Sequence, residues 1–328
     1  MDARNKYILD ALGVLAWHDA GYTGTGVHIA SVENFQSAGD NAHERLTYLA
    51  CKEVAPNAEY YYLPQARNGT EGKELSETAF HARLVGEVER NDISVWFGSR
   101  STSRDPQLDK ALDTVPRLTV LFSAGNTGDG GGSKFIDGNN VYGVGAVNIS
   151  WSYSVGGVPA EGAEMMILPA FYSSESDAVD FAAPTDLYIN DSRFDGTSCA
   201  TPVLAGMCAL INEFFIERTG YPLTRGKMYD FLFDNCVKIG GAARTKKSGW
   251  GMPILPPIES IDIQKYAGET TMFSDIQNHW AKDYIEKCAR LGIVNGYEDG
   301  RFRPNEAISR AEVCTIIAKL ADKMGVKK

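Results

Sequence analysis

The sequence lacks an excess of basic residues and any long uninterrupted apolar run. Its 328 residues include 32 Lys and Arg against 42 Asp and Glu, which gives a formal net charge of −10. Nucleic acids and anionic membranes attract clustered positive charge, so this balance predicts no nucleic-acid partner. No apolar run approaches the roughly 20 residues that span a bilayer, which predicts no transmembrane segment. Residues 1–6 lead into no apolar core of a signal peptide, so the localisation stays open at this point.

Closely spaced cysteine pairs of the C-x-x-C type, which bind metals or carry redox chemistry, are also missing. We therefore predict that the cysteines are mostly reduced, buried, small hydrophobic residues. They are Cys51, Cys199, Cys208, Cys236, Cys288 and Cys314.

Short apolar segments alternate with helical patterns over the first 258 residues. Strands are predicted at residues 27–32, 58–63, 93–97, 118–122 and 141–147, with helices near 75–89 and 109–113. This alternation predicts an α/β fold with a mostly parallel sheet and helices on both faces. Functional residues are expected at the carboxyl ends of the strands.

A proline-rich stretch at residues 252–258 predicts a linker between two domains, over residues 1–258 and 270–328. The second is expected to be a small helical module. Ser309 and Glu312 fit a capping box that opens a helix. We expect its apolar residues to face inward; they are Val313, Ile316, Ile317 and Leu320.

Residues of nucleophilic catalysis occur at the predicted strand and helix ends. Ser198 lies where an extended segment meets an apolar helix, which would expose its hydroxyl and place its N–H at a helix N-terminus. Asn126 comes after an apolar strand and could donate to an oxyanion, although this position taken alone is more typical of a turn residue in a glycine-rich loop. Glu33 ends the first strand and His43 opens a helical run, which supplies an acid and a base.

These segments together resemble the subtilisin-like serine proteases over residues 10–255. Residues 196–202 match that family's Gly-Thr-Ser-x-Ala-x-Pro, residues 180–184 the segment before it, and residues 124–126 its oxyanion motif. The resemblance implies an acid, histidine and serine triad of Glu33, His43 and Ser198, with Asn126 in the oxyanion hole. It implies hydrolysis of peptide bonds in a protein or peptide substrate.

The chain departs from that family at several positions. Glu33 stands where Asp is usual, Glu44 and Arg45 replace Gly-Thr after the histidine, and only nine residues separate Glu33 from His43. The family's substrate strand corresponds here to Trp96, Phe97 and Gly98, along which we expect the substrate to bind, although core packing fits Trp96 and Phe97 equally well. Members often bind calcium, but no acidic cluster here calls for it, and we expect no metal and no cofactor. A catalytically silent fold that binds peptides remains the alternative.

Residues 273–312 resemble an S-layer homology repeat, on segments such as 292–297 and 299–304. That family binds secondary cell-wall polysaccharide on bacterial surfaces. The resemblance makes Trp280, Asp299 and Arg310 candidate glycan contacts, unless Trp280 is core and Arg310 only caps a loop. The two resemblances together predict a serine endopeptidase at a bacterial envelope. The alternatives are a silent peptide- or wall-binding protein, and a structural protein of an envelope or phage particle.

Overall fold

The computed structural model describes residues 4–63, 77–100, 105–155, 158–241, 244–267, 273–290, 293–297 and 299–323. Contacts within the chain divide it into two compact units, Met1–Tyr266 and Ala267–Lys328.

The first unit contains all the described strands and most of the helices. Its strands are β1 (His28–Ser31), β2 (Glu59–Tyr62), β3 (Ile93–Gly98), β4 (Thr119–Ser123), β5 (Tyr142–Trp151), β6 (Ser154–Val155), β7 (Val158–Pro159), β8 (Met165–Pro169), β9 (Val179–Pro184), β10 (Leu187–Ile189), β11 (Ser192–Phe194), β12 (Cys236–Val237) and β13 (Met252–Pro253). The helices before residue 268 are α1 (Lys6–Ala11), α2 (Val14–Asp19), α3 (His43–Val54), α4 (Glu77–Arg90), α5 (Pro106–Ala111), α6 (Thr197–Thr219), α7 (Arg225–Asp234) and α8 (Ile263–Ala267).

A seven-stranded, mostly parallel sheet organises this unit. Strands β2, β1, β3, β4 and β5 lie side by side in that order, and β9 pairs with β5 in parallel. Only β8 runs antiparallel, against the second half of β5. The α/β fold and the mostly parallel sheet predicted from the sequence are confirmed.

Helices cover both faces of the sheet because alternate side chains of each strand point to opposite sides. Along β3, Val95 and Phe97 belong to one buried cluster, whereas Trp96 belongs to the other. The first cluster includes residues of α3 and α6. The second includes Leu84 from α4 and Leu108 from α5. Two separate cores therefore hold the sheet from either side.

Helix α6 is the central helix of the first core. Its length and composition would let it span a membrane, but 89% of its most apolar stretch is buried inside the unit. It packs closely on α3, since a Cβ added at Gly206 would lie 2.6 Å from the Cβ of Val54. A glycine is needed there to let the two helices approach.

The proline-rich stretch is part of the first unit and does not form the linker predicted at residues 252–258. Met252 is fully buried, and Leu255 donates its backbone N–H to Leu12 O at 2.8 Å. The Trp17 indole donates to Pro256 O at 2.8 Å. Because these bonds fix the stretch against α1 and α2, the unit continues through α8 to Tyr266, eight residues beyond the predicted boundary at residue 258.

The second unit has a much smaller core. Its described helices are α9 (Lys282–Arg290) and α10 (Arg310–Lys323), and its buried cluster consists of Phe273, Ile276 and Ile285. The predicted inward face of α10 is wrong for three residues: Val313, Ile317 and Leu320 are 38%, 59% and 41% exposed. This apolar face is not part of the described core. The prediction failed because helical periodicity shows that a helix has an apolar stripe but does not show what the stripe packs against.

Each cysteine is a free thiol, as expected. Three are fully buried and two are half-buried, while Cys314 is exposed and so departs from the prediction. Cys199, next to Ser198, packs beneath the turn at 0% exposure, and burial raises the pKa of its thiol to about 12. A thiol of that pKa does not compete with Ser198 as a nucleophile.

Candidate active site

Glu33 is placed by the register of two neighbouring strands. In the parallel pair β1 and β3, Ser31 lies opposite Phe97, and Val32 N donates to Phe97 O. Two residues further along each chain, Ser99 N donates to Glu33 Oε1 at 2.7 Å. Ser31 Oγ donates to Glu33 Oε2 at 2.8 Å. The carboxylate is therefore bound on both oxygens at the carboxyl edge of the sheet, where it is 3% exposed.

The backbone of Ser99 connects this acid to the candidate nucleophile. Its N–H binds Glu33, and its carbonyl accepts the hydroxyl of Ser198 at 2.9 Å. Ser198 is the second residue of α6, so its N–H lies among the unpaired amides of the helix N-terminus. The structure thus brings two residues 165 positions apart to the backbone of one residue, Ser99.

Asn126 follows β4, the next strand of the sheet, and contacts the turn that carries Ser198. Its Oδ1 accepts from Thr197 N at 2.9 Å and from Thr197 Oγ1 at 3.0 Å. These bonds leave Nδ2 as the free donor, and it has no acceptor among the described residues. Gly196, at φ 85°, allows the approach, because a Cβ there would lie 3.0 Å from Nδ2. An amide N–H placed in this way can stabilise an oxyanion.

His43 is the first residue of α3, as predicted, and its ring meets Phe194 edge-on at 6.1 Å between centroids. Within the described residues, no hydrogen bond joins its imidazole to Glu33 or to Ser198. The Ser198 hydroxyl instead donates a hydrogen bond to Ser99 O. The expected chain of acid, histidine and serine is therefore not closed in this structure.

A cleft of about 410 Å³ opens beside His43 and Glu33. It contains charges of both signs, from Glu33, Glu44 and Arg100. Its lining is completed by small and aromatic residues: Val32, Asn34, Ser37, Ala38, Ala42 and Tyr62.

The protein environment shifts both titrating groups of the expected acid–base pair. Burial raises the pKa of the Glu33 carboxyl, and the hydrogen bonds from Ser31 and Ser99 oppose that rise. Desolvation lowers the pKa of His43; the Arg100 cation lowers it further, whereas the Glu44 carboxylate raises it. A lowered pKa keeps the imidazole neutral at pH 7, which is the form that accepts a proton.

The expected substrate strand is not available for binding. Trp96 and Phe97 are 1% and 0% exposed, and β3 is paired on both sides with β1 and β4. Gly98 also pairs, opposite Phe122. A strand inside a sheet has no free edge for a substrate, so the structure favours the core-packing alternative for Trp96 and Phe97 and gives Gly98 no open edge. Ser99 and Arg100 are the first residues beyond this paired region.

In the second unit, the three candidate glycan contacts are all exposed. Trp280 is 85% exposed, which rules out its alternative role as a core residue. Asp299 accepts from Arg303 Nη2 at 3.0 Å, and this bond lowers the pKa of its carboxyl. Arg310 is the first residue of α10. No hydrogen bond or ion pair in the described part of the chain joins any two of the three contacts.

Sequence reasoning missed Ser99, Arg100 and Tyr172 near the site. The position of Ser99 directly after a predicted strand was a usable signal, whereas nothing in the sequence marks Tyr172.

For the described residues, no group of three or more His, Cys, Asp or Glu side chains could hold a metal ion.

Comparison with known families identifies the second unit. Residues 273–314 match the S-layer homology domain. The resemblance seen in the sequence is thereby confirmed for this part of the chain. A related protein is Cell surface glycoprotein 1 of Acetivibrio thermocellus, 34% identical over 73 residues, which are 22% of this chain and 3% of that protein.

The first unit is similar to proteases. The Intracellular serine protease of Paenibacillus polymyxa is 27% identical over 180 residues, which cover 50% of this chain and 50% of that protein. The crystal structure of a lanthipeptide protease superposes with a TM-score of 0.54 at 15% identity, over 77% of this chain and 93% of that one. The first unit therefore has a protease-like fold. The chain spans half or less of the length of these two curated relatives.

Proposed function

We propose that this protein is a serine endopeptidase that uses Ser198 as nucleophile, His43 as general base and Glu33 as the orienting acid. The observation that carries the proposal is the backbone of Ser99: its N–H binds the acid and its carbonyl binds the serine, at the sheet edge. Asn126 follows the adjacent strand and binds the turn that carries Ser198. The similarity to a serine protease supports the same conclusion.

The reaction requires His43 to replace Ser99 O as the partner of the Ser198 hydroxyl. His43 then removes that proton while Ser198 Oγ bonds to the peptide carbonyl carbon. Asn126 Nδ2 and the Ser198 N–H stabilise the negative carbonyl oxygen. Collapse of this intermediate breaks the C–N bond, and His43 returns the proton to the leaving amine. Water, deprotonated by His43, then attacks the acyl carbon; the bond from Ser198 Oγ to that carbon breaks, the acid product leaves, and His43 returns the proton to Ser198 Oγ.

Glu33 can orient His43 without losing its present partners. A carboxylate offers about four lone-pair positions, and Ser31 and Ser99 occupy two of them. A third bond from the His43 ring N–H would stabilise the imidazolium that forms during the reaction. Hydrogen bonds between catalytic groups are often long or unformed before substrate binds. The missing bonds of His43 to Glu33 and Ser198 are therefore compatible with this role. This chemistry uses the protein's own side chains and backbone and requires no cofactor.

A fluorophosphonate probe tests this proposal directly. It should label the wild-type protein, and Ser198→Ala should abolish labelling. Ser192→Ala is the matched control, because Ser192 is an exposed serine in β11, six residues earlier, and should leave labelling unchanged. Absence of labelling in folded wild-type protein would contradict the proposal.

A silent peptide-binding protein is the second candidate, and the resting geometry favours it. The Ser198 hydroxyl donates a hydrogen bond to the backbone carbonyl of Ser99. In the described part of the site, His43 has no hydrogen bond to Glu33 or to Ser198. This candidate predicts no fluorophosphonate labelling together with saturable binding of peptides in the cleft beside His43. Peptide binding that Ser198→Ala leaves unchanged, in an unlabelled wild-type protein, would support it.

We also propose that the second unit attaches the protein to secondary cell-wall polysaccharide at a bacterial envelope. The S-layer homology match and the cell-surface relative support this. Trp280 presents its ring to solvent, where it can stack on a sugar, and Arg310 can pair with an anionic substituent. Purified cell walls should retain the full chain, and Trp280→Ala and Arg310→Ala should each weaken retention. Lys282→Ala, which removes another cation from the unit, should not.

A further inference from the structure

The turn that carries Ser198 is fixed by a chain of hydrogen bonds that begins and ends on one residue. Gly196 N donates to the hydroxyl of Tyr172 at 3.1 Å. That hydroxyl donates to Thr185 Oγ1 at 3.1 Å, and Thr185 Oγ1 donates to Gly196 O at 3.3 Å. Each hydroxyl therefore accepts one bond and donates one, all in the same direction around the ring. Bonds aligned in this way strengthen one another in a buried setting.

The two hydroxyls are unequal in what they supply. Gly196 O also accepts from Cys199 N and Ala200 N, at the start of α6, so Thr185 is its third partner. Gly196 N has Tyr172 as its acceptor and no other among the described residues. Gly196 is buried, so an N–H without this acceptor would be left unpaired away from water. The hydroxyl of Tyr172 is thus the more consequential of the two.

The same segment also holds the loop of Asn126. Tyr172 O accepts from Gly128 N at 2.8 Å, and Ser174 N donates to Gly125 O at 3.0 Å. Ser174 Oγ accepts from Thr127 N at 3.1 Å. The backbone of residues 172–174 therefore binds both flanks of Asn126, while the Tyr172 side chain binds the turn that presents Ser198.

We propose that Tyr172 is a positioning residue that sets the spacing between the two oxyanion donors, Asn126 Nδ2 and Ser198 N–H. This inference rests on the proposed peptidase function. One donor is held through the backbone of Tyr172 and the other through its hydroxyl. Loss of the hydroxyl leaves Gly196 N without its acceptor and the turn attached to the Asn126 loop through the bonds of Thr197, so the turn can shift relative to Asn126 Nδ2. A misplacement of about 1 Å at such a site can cost about 100-fold in rate.

Burial of Tyr172 raises the pKa of its phenol, which keeps the hydroxyl protonated across the neutral range. It remains a donor to Thr185 wherever His43 could act as a base. The contribution of Tyr172 is therefore constant with pH, and we expect the pH dependence of the rate to follow the protonation of His43.

The test compares rates of fluorophosphonate labelling in folded variants of the full chain. Tyr172→Phe should lower the second-order rate constant by about 10- to 100-fold. The profile of that rate against pH should keep its shape. Tyr153→Phe makes the same chemical change at an exposed tyrosine and should leave the rate unchanged.

A double-mutant cycle with Asn126→Ala separates positioning from general loosening of the fold. Asn126→Ala alone should cost about 10²- to 10³-fold, as removal of one oxyanion donor does. In that background Tyr172→Phe should cost much less than it does alone, because the donor spacing it protects is already lost. Fully additive costs would overturn the inference in favour of a purely structural tyrosine.

A second pair of variants decides the matter if Tyr172→Phe does not fold. Thr185→Val breaks the ring of hydrogen bonds and should slow labelling, whereas Thr185→Ser keeps the hydroxyl and should restore most of the rate. Equal rates for these two would overturn the inference. A labelled wild type with an unaffected Tyr172→Phe rejects the role of Tyr172 alone. An unlabelled wild type rejects the peptidase function itself.

Discussion

The two units place their apolar residues in opposite ways. The first unit buries its large side chains on both faces of a sheet, and even its long central helix is enclosed. The second unit has a described core of three buried residues, and Trp280 and Ile317 are exposed at 85% and 59%. Glu33, Asn126 and Ser198 are consequently held on a well-packed scaffold by hydrogen bonds to the backbone. The candidate glycan contacts are side chains on a surface.

The largest effect is expected from His43. His43→Ala should lower the rate of fluorophosphonate labelling by about 10⁶-fold, because Ser198 loses its base. Circular dichroism should show an unchanged fold, since His43 is exposed at the start of α3. His279→Ala, in the second unit, is the control and should label as the wild type does. Equal labelling of both variants would mean that another group acts as the base.

Core truncation should show the difference between the units as a difference in stability. Phe214 is 1% exposed and packs against Trp17 and Tyr22, with ring centroids 5.6 Å away in each case. Phe214→Ala should cost about 3–5 kcal/mol in free energy of unfolding. Ile317→Ala should change it by no more than about 0.5 kcal/mol. Urea unfolding measures both, and equal losses would show that the apolar face of α10 is covered after all.

The capping box should give a smaller, local effect. Ser309 Oγ accepts from Glu312 N at 3.2 Å, and Glu312 Oε2 accepts from Ser309 N at 2.7 Å. Ser309→Ala removes one of these bonds and should destabilise the start of α10 by about 1 kcal/mol. Hydrogen exchange of the amides there should become about fivefold faster, since about 1 kcal/mol corresponds to about a fivefold change in the opening equilibrium. Ser309→Thr keeps the hydroxyl and should retain protection.

The smallest effect is expected in the pH dependence of labelling. As the general base, His43 must be neutral, so the rate should rise with pH through the pKa of its imidazole. Arg100 lowers that pKa, so Arg100→Met should raise it and move the acid limb to higher pH. Glu44 raises the pKa, so Glu44→Gln should move the limb to lower pH. Shifts of the same sign in both variants would show that His43 is not the titrating base.

Local patterns predicted a large part of this protein. Strand and helix alternation predicted the sheet, and the apolar run after Ser198 predicted the helix that begins at Thr197. Capping chemistry predicted the reciprocal bonds of Ser309 and Glu312. Each of these depends on neighbours within a few positions, where propensity and periodicity act.

The failures share a different cause. Trp96 and Phe97 were assigned to binding because of their place in a motif, yet their strand lies inside the sheet and is paired on both sides. The proline-rich stretch predicted a linker, but its backbone bonds to residues more than 200 positions earlier. Local composition does not reveal which side of a strand is paired or what a loop packs against.

The sequence by itself determined the layered α/β architecture, the serine at a helix N-terminus and the S-layer homology unit, because these follow from short-range patterns. Only the tertiary structure decided that Ser99, 66 positions from Glu33 and 99 from Ser198, bonds to both. It alone placed the hydroxyl of Tyr172 on the turn of Gly196. Such bonds depend on strand register and on the way a helix meets a sheet edge, which are properties of the assembled chain.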